Sequence, residues 1–227
     1  MHVVVLKGAG ISAESGLQTF RDAQNGLWNG YNIDEVATPE AWRRNPALVL
    51  QFYSFRRAEV LKAKPNAAHV ALARLEQQVQ VTIITQNIDD LHERAGSTQV
   101  LHLHGQIRKM RSVYDEDTLY PIDGDIQLGD LAPDGGQLRP HVVWFGEAVP
   151  MLSAAAETVM QADCLAIIGT SLQVYPAAGL VNYVAPGKPV YLIDRAAPSI
   201  SLPNLTVIEK PATLGVPLFI EALLASR

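Results

Sequence analysis

The segment Val100-Leu101-His102-Leu103-His104-Gly105 offers the chain's best proton-transfer chemistry near neutral pH. In an extended strand, side chains two apart share a face, so His102 and His104 point the same way. His104 stands last before a glycine, where a histidine can act as a general base. A hydrogen-bonded structural histidine is the plainer alternative. A metal pair with His92 or Asp89 is a third, but no H-x-x-x-H spacing or cysteine supports it. Upstream, Thr85-Gln86-Asn87-Ile88-Asp89-Asp90-Leu91-His92-Glu93 closes one expected strand and opens a helix. Gln86, Asn87 and Asp89 are short polar groups suited to fixing an amide or a ribose. Simple capping of helix N–H groups by Asn87 or Asp89 is the alternative.

Two further turns could hold a phosphate or a ribose. Gly8-Ala9-Gly10-Ile11-Ser12-Ala13 follows an apolar run and fits the G-x-G-x-x-G/A dinucleotide pattern. Its glycines would let backbone approach a pyrophosphate at a helix N-terminus. The usual ribose-binding acid does not follow a second strand; Asp34 and Glu35 fall in a helical stretch instead. Gly169-Thr170-Ser171 ends a second apolar run with hydroxyl and N–H donors. Tyr53 and Arg56, three apart on an expected helix, combine a hydroxyl with a guanidinium fork, together a carboxylate receptor. A solvated arginine beside a half-buried tyrosine is the alternative there. Cys164 lies inside an apolar run and reads as a buried structural thiol.

These groups need a scaffold. Short apolar runs at Val3–Leu6, Val79–Thr85, Val100–His104, Cys164–Ile168, Val190–Ile193 and Leu205–Ile208 predict strands covered on both faces. Thr38-Pro39-Glu40, Asn45-Pro46 and Asn66 are helix starts. Helices are expected over Ala47–Ala63, Ala67–Gln77, Asp89–Ala95, Ser153–Gln161 and Pro217–Ala225. The alternation predicts an α/β domain with a mainly parallel sheet and helices on both faces. Residues 28–64, helical and without a strand, and the polar residues 106–140 break the rhythm. They predict a smaller domain built from two insertions. The main domain then comprises residues 1–27, 65–105 and 141–227.

Composition narrows the function. The 227 residues are 48% hydrophobic and 18% charged, with a formal net charge of −5. A packed core is expected, and nucleic acid is not a favoured partner. One cysteine excludes an internal disulfide and a cysteine-rich zinc site. No apolar stretch approaches the roughly 20 residues of a membrane span. His2–Leu6 is too short for a secretion signal. A cytoplasmic monomer without a membrane partner is the expectation.

Taken in order, GAGISAESGLQTFR at 8–21, TQNIDDLHERAG at 85–96, HLHG at 102–105, FGE at 145–147 and GTS at 169–171 resemble the sirtuins, NAD-dependent protein deacylases. The resemblance covers nearly the whole chain. Tyr53-x-x-Arg56 and RPHVVWFGE at 139–147 are similar to the branch that removes acidic acyl groups.

This resemblance implies a Rossmann-type large domain, NAD as cosubstrate and acylated-lysine proteins as partners. It implies attack of the acyl oxygen on the nicotinamide ribose, with the acyl group ending on ADP-ribose. His104 takes the place of the base, Asn87 and Asp89 that of the nicotinamide pocket, and Gln86 that of a ribose contact. Gly8, Ala9, Gly10, Ser12, Glu14, Thr19, Phe20 and Arg21 fall on the cofactor loop, with Phe20 shielding the reactive face. Gly169, Thr170, Ser171, Asp194 and Ala212 fall on the adenosine side; Asp194 stands where the family usually has Asn. An acyl-lysine peptide would add as a strand between Phe145-Gly146-Glu147 and Leu172–Tyr175. Val143 and Phe145 would wall the lysine tunnel, with Tyr53 and Arg56 at its end.

The departure concerns metal. Most sirtuins hold a structural zinc on four cysteines in the second insertion, yet Gln106–Leu138 contains no cysteine and no histidine. Ser112 stands near the first ligand position. The module is therefore expected to be held by apolar contacts of Val113, Tyr114, Leu119, Tyr120, Ile122, Ile126 and Leu128. Its acids, Asp115, Glu116, Asp117, Asp123 and Asp125, are expected on a solvated face. Two other functions stay open: a non-catalytic NAD or ADP-ribose binding module, and a protein ADP-ribosyltransferase.

Overall fold

Apolar residues on both faces of short strands dictate a sheet sandwiched between helices, and the computed structural model has that form. It describes residues 1–18, 27, 28 and 30–225, with residues 27 and 28 described by backbone alone. The first half runs β1 (His2–Lys7), α1 (Gly10–Ala13), β2 (Leu27–Trp28), β3 (Tyr31–Asn32), α2 (Ile33–Val36), α3 (Pro39–Arg44), α4 (Pro46–Lys62) and α5 (Ala67–Leu75). Next come β4 (Gln80–Thr85), α6 (Leu91–Ala95), β5 (Val100–His102), β6 (Gly105–Ser112), β7 (Leu119–Pro121) and β8 (Leu138–Val142). The rest is α7 (Leu152–Met160), β9 (Cys164–Ile168), a 3-10 helix (Ala177–Tyr183), β10 (Val190–Ile193), β11 (Leu205–Ile208) and α8 (Ala212–Ala225). Among the described residues, no helix is long and apolar enough to cross a membrane.

All six strand regions expected from the sequence pair, in the order β11-β10-β9-β1-β4-β5 and all in parallel. Residues alternate between the faces. Val3 and Val5 pack with α5 and α8 residues such as Leu72 and Phe219. Val4 and Leu6 pack with Val159 of α7 and Leu180 of the 3-10 helix. Cys164 belongs to the first of these cores, and burial pushes its thiol up to about 12. Chain order reverses between β1 and β9, so a crevice opens beyond their carboxyl ends. The loops after β1, β4 and β9 converge there.

The helix starts follow their caps. Thr38 accepts from Ala41 N–H, Asn45 from Leu48 N–H and Asn66 from Ala68 N–H. Arg57, buried on α4, donates to the Ile107 and Gly124 carbonyls and ties that helix to the second insertion.

Several sequence expectations need correction. Residues 28–64 are not free of strand, because β2 and β3 form a short antiparallel pair. The second insertion, read from sequence as polar and given no elements, is an antiparallel sheet, β7-β6-β8. Its strands also overrun the expected 106–140 boundaries, with β6 starting at Gly105 and β8 ending at Val142. Strand β5 stops at His102, so His104 lies just past it. The helix expected from Pro217 begins at Ala212, with Pro217 inside it. As the sixth helical residue, Pro217 lacks an N–H that would otherwise bond the Thr213 carbonyl, so it interrupts the ladder after the first turn instead of marking the start. The helix after Asp89 likewise begins at Leu91.

The second insertion is held differently from expectation. Ile122 and Ile126 are buried against Leu50 of α4, but Val113, Tyr114 and Leu128 are exposed. Polar clips supply the rest. Gln137 Nε2 donates to the Gln127, Asp130 and Leu138 carbonyls, and its Oε1 accepts from Gly129 N–H. Ser112 Oγ donates to Asp134, which also accepts from Gly136 N–H. Ser112 is thus bound to a carboxylate in a hydrogen-bonded turn, with no thiolate or imidazole beside it to suit zinc. Among the described residues, no group of three or more His, Cys, Asp or Glu could hold a metal ion.

Candidate active site

A cavity of about 400 Å³ occupies the crevice at the carboxyl edge of the sheet. Backbone packing of glycines builds its floor. Gly8 N–H donates to the Ile168 carbonyl and Gly10 N–H to the Gly169 carbonyl. A Cβ on Gly10 would come within 2.7 Å of Gly169, and one on Gly8 within 2.8 Å of it. The glycines therefore bring two loops of the protein together, beyond the expected approach to a ligand. Helix α1 behind them is four residues long, so it contributes little aligned dipole.

Beside this floor lies a buried polar cluster. Asp89, 5% exposed, accepts from Ser12 Oγ at 3.1 Å, Asn87 Nδ2 at 2.9 Å and Leu91 N–H at 3.2 Å. Asn87 Nδ2 also reaches Ser12 Oγ at 3.1 Å. Asp89 is thus both a cap and a wall of the cavity. Burial pushes its carboxyl up, but Lys7, His69, Leu91 N–H and Asn87 outweigh that and hold it below the ordinary value. Gln86 Nε2 donates to Thr170 Oγ1 at 3.2 Å, linking the β4 and β9 loops.

His104 lines the same cavity. Its Nδ1 lies 2.8 Å from the Gln86 carbonyl. A carbonyl only accepts, so Nδ1 carries the proton and a neutral ring keeps its lone pair on Nε2. Burial lowers the His104 pKa, partly offset by that backbone hydrogen bond. A neutral ring near pH 7 is a competent base. His102 turns to Glu93 instead, with Nε2 2.6 Å from Oε1.

Most of the residues chosen from sequence meet here. Gly8, Ala9, Gly10, Ser12 and Glu14 border one side, and Gly169, Thr170, Ser171, Asp194 and Ala212 another. Tyr53, Arg56, Val143, Phe145, Gly146 and Glu147 border the remainder. Thr19, Phe20 and Arg21 lie outside the described residues. Three carboxylates have scaffold partners. Glu14 accepts from Thr213 N–H and Oγ1, Glu147 bonds Arg139 and Trp144 N–H, and Asp194 accepts from Ala196 N–H. At the far end Tyr53 is 1% and Arg56 6% exposed. Burial pushes the Tyr53 phenol up, so it stays a neutral donor, and burial lowers the Arg56 pKa.

Sequence reading missed Leu17, Ala37 and Val60, apolar walls of the cavity that carry no chemical signal. It also missed Lys7, whose signal was a cation closing the apolar run Val3–Leu6. Lys7 is 1% exposed, with Nζ 4.0 Å from Asp89 Oδ1.

An open α/β sheet with a cleft of polar groups at its topological switch point defines a nucleotide-binding class of fold. Residues 8–176 match the Sir2 family, and the chain belongs to it. A Helicobacter pylori protein named NAD-dependent protein deacylase is 54% identical over 212 residues, covering 93% of this chain and 92% of its own. A solved Sir2 homolog–NAD complex is similar with TM-score 0.85 and 37% identity, covering 99% of this chain and 90% of the other. A Sir2 bound to acetylated peptide is similar with TM-score 0.77 and 30% identity, covering 97% and 92%.

Proposed function

We propose that this chain is an NAD-dependent protein-lysine deacylase that prefers succinyl and malonyl groups over longer neutral chains and also removes acetyl. One observation carries the reading: a single cavity joins the glycine floor, His104 with its tautomer set by the Gln86 carbonyl, and the buried Tyr53–Arg56 pair. The Sir2 relatives that bind NAD and acetylated peptide support it.

NAD supplies an electrophilic ribose carbon and a nicotinamide leaving group when bound. The chain's residues do the rest. The Gly8–Glu14 loop and Gly169–Ser171 border the nucleotide, with Asp194 and Ala212 on the adenosine side. Asn87 and Asp89 orient the nicotinamide carboxamide. His104 Nε2 takes the proton of a ribose hydroxyl. Val143 and Phe145 flank the lysine stem, and Phe145-Gly146-Glu147 offers backbone to an extended peptide. Arg56 meets the acyl carboxylate through a charge-assisted pair, with Tyr53 as a neutral donor beside it. Acetyl carries no such counter-charge.

The proposal extends to organisation. The parallel sheet forms a nucleotide domain, and the two insertions form a small domain that holds its shape without zinc. The protein works as a cytoplasmic monomer on acylated proteins.

The test pairs succinyl-lysine and acetyl-lysine peptides with NAD and follows nicotinamide and peptide mass. NAD-dependent succinyl loss is expected, with O-acyl-ADP-ribose as product. Arg56→Met is expected to weaken desuccinylation strongly and to spare deacetylation; equal loss on both peptides would make Arg56 structural. ADP-ribose appearing on protein, or NAD binding without turnover, would refute the deacylase reading.

A further inference from the structure

Strand β1 alternates cleanly until its last residue. Val3 and Val5 face the core under α5 and α8, and two-residue periodicity carries Lys7 onto that same face. A lysine there is out of pattern. It is also one of the largest fully buried side chains described. A buried ammonium is retained only where an opposite charge compensates for lost water. The acid within reach is Asp89, with Nζ 4.0 Å from Oδ1.

Asp89 needs such a partner. Its two oxygens accept from Ser12 Oγ, Asn87 Nδ2 and Leu91 N–H, an arrangement of donors that a carboxylate satisfies and a protonated acid does not. Other charged and titratable groups surround the pair: His69 of α5 and Arg56 of α4 act on Asp89, and His92 and Glu93 of α6 act on Lys7. His69 and His92 pack with ring centroids 4.7 Å apart and planes tilted by 58°, and burial lowers both pKa values, so neither supplies a cation near pH 7. Arg56 serves the acyl end of the cavity. Lys7 remains as the cation behind Asp89.

We propose that Lys7 is a positioning residue of the deacylation site: as the buried counter-ion of Asp89, it keeps that carboxylate an acceptor toward Asn87 and Ser12 and so sets the nicotinamide side of the cavity. This rests on the deacylase reading for the identity of the ligand. Lys7 itself does not line the cavity. It acts through Asp89.

The experiment is a carbon-13 NMR titration of the Asp89 carboxyl in the full chain, assigned with Asp89→Asn. Wild-type Asp89 is expected to titrate below 3.8. Lys7→Met is expected to raise the midpoint by roughly two pH units or more. Calorimetry of nicotinamide binding between pH 5 and 8 gives the functional readout. Wild-type affinity stays level across that range. In Lys7→Met it falls by roughly tenfold for each pH unit below the raised midpoint. Lys7→Arg, which keeps the cation, restores the level profile. A merely structural lysine would lower stability without creating this pH dependence.

A folded Lys7→Met with unchanged midpoint and binding profile would overturn the proposal. So would a wild-type Asp89 that titrates at or above the ordinary carboxylate range, a result that requires no variant to fold. The deacylase reading fails by a separate route, if wild type releases no nicotinamide from NAD with an acyl peptide. The carboxyl titration then still decides whether Lys7 pairs with Asp89.

Discussion

The cleft floor and the β6–β8 module use polar groups in opposite ways. In the floor, side chains bond to one another as well as to backbone: Ser12 and Asn87 to Asp89, and Gln86 to Thr170, beside Asp89 to Leu91 N–H and His104 to the Gln86 carbonyl. In the module, side chains bond largely to backbone, as with Gln137 and Asp115. The first pattern orients groups that remain chemically useful. The second closes turns that strand pairing leaves open, and its side chains are used up in doing so. Substitutions in the floor should therefore change chemistry at nearly constant stability, and those in the module the reverse.

The largest effect expected is on turnover. His104→Ala should cut NAD-dependent acyl loss by about 10²–10⁴-fold, the usual range for a lost general base. The hydrogen bond of its ring to the Gln86 carbonyl contributes only about 0.5–1.5 kcal/mol to stability. Steady-state kinetics with thermal unfolding checks both. A variant that unfolds would break the contrast between the regions.

Next in size is the apolar core that carries both. Phe219 is fully buried on α8 and packs its ring 4.9 Å from Tyr191 of β10. Phe219→Ala should cost about 3–5 kcal/mol by denaturant titration, from lost transfer energy plus a cavity. Gln137→Ala should cost less, about 1–2 kcal/mol, because the four bonds it makes lie near solvent. Its deacylation constants should match wild type. A Gln137→Ala enzyme with a changed KM for peptide would show that the module reaches into the site.

The same contrast explains what the sequence made legible. Val3–Leu6 and Cys164–Ile168 are fully apolar, so strands covered on both faces stood out, and all six pair as expected. Strand β6 buries Gly105, Ile107, Arg111 and Ser112 but leaves Gln106, Arg108, Lys109 and Met110 half-buried, and this broken, polar pattern hid it inside a polar stretch. The site was legible where loop chemistry is local, as at Gln86-Asn87 and Gly169-Thr170. Lys7 was not, because its partner comes from another strand's loop and only folding brings the two charges together. Proline misled at α8, where the cap signal of Pro217 was read as a start although five helical residues precede it.

The smallest effect separates the regions by their histidines. His69 behind the floor and His141 in β8 are both held to about 4 against an ordinary 6.5, in each case first by burial. As pH falls from 6.5 toward 4, the unfolded chain takes up protons that the folded chain refuses. Stability is thus full above 6.5 and declines through that window, by up to about 1.4 kcal/mol per pH unit for His69. His141 contributes less, since it is only half-buried and solvent screens the ring itself. Arg111 and Arg139, both buried, and the half-buried Lys109 lower its pKa further, whereas the charges acting on His69 oppose each other, Lys7 lowering its pKa and Asp89 raising it. Salt near 1 M shortens the screening length to about 3 Å. Proton NMR should then show a small rise of the His141 midpoint, through the solvent-accessible Lys109, while that of His69 stays in place. Equal movement of both would mean that solvent reaches Lys7 and Asp89, and the floor would no longer be the closed polar cluster that its chemistry requires.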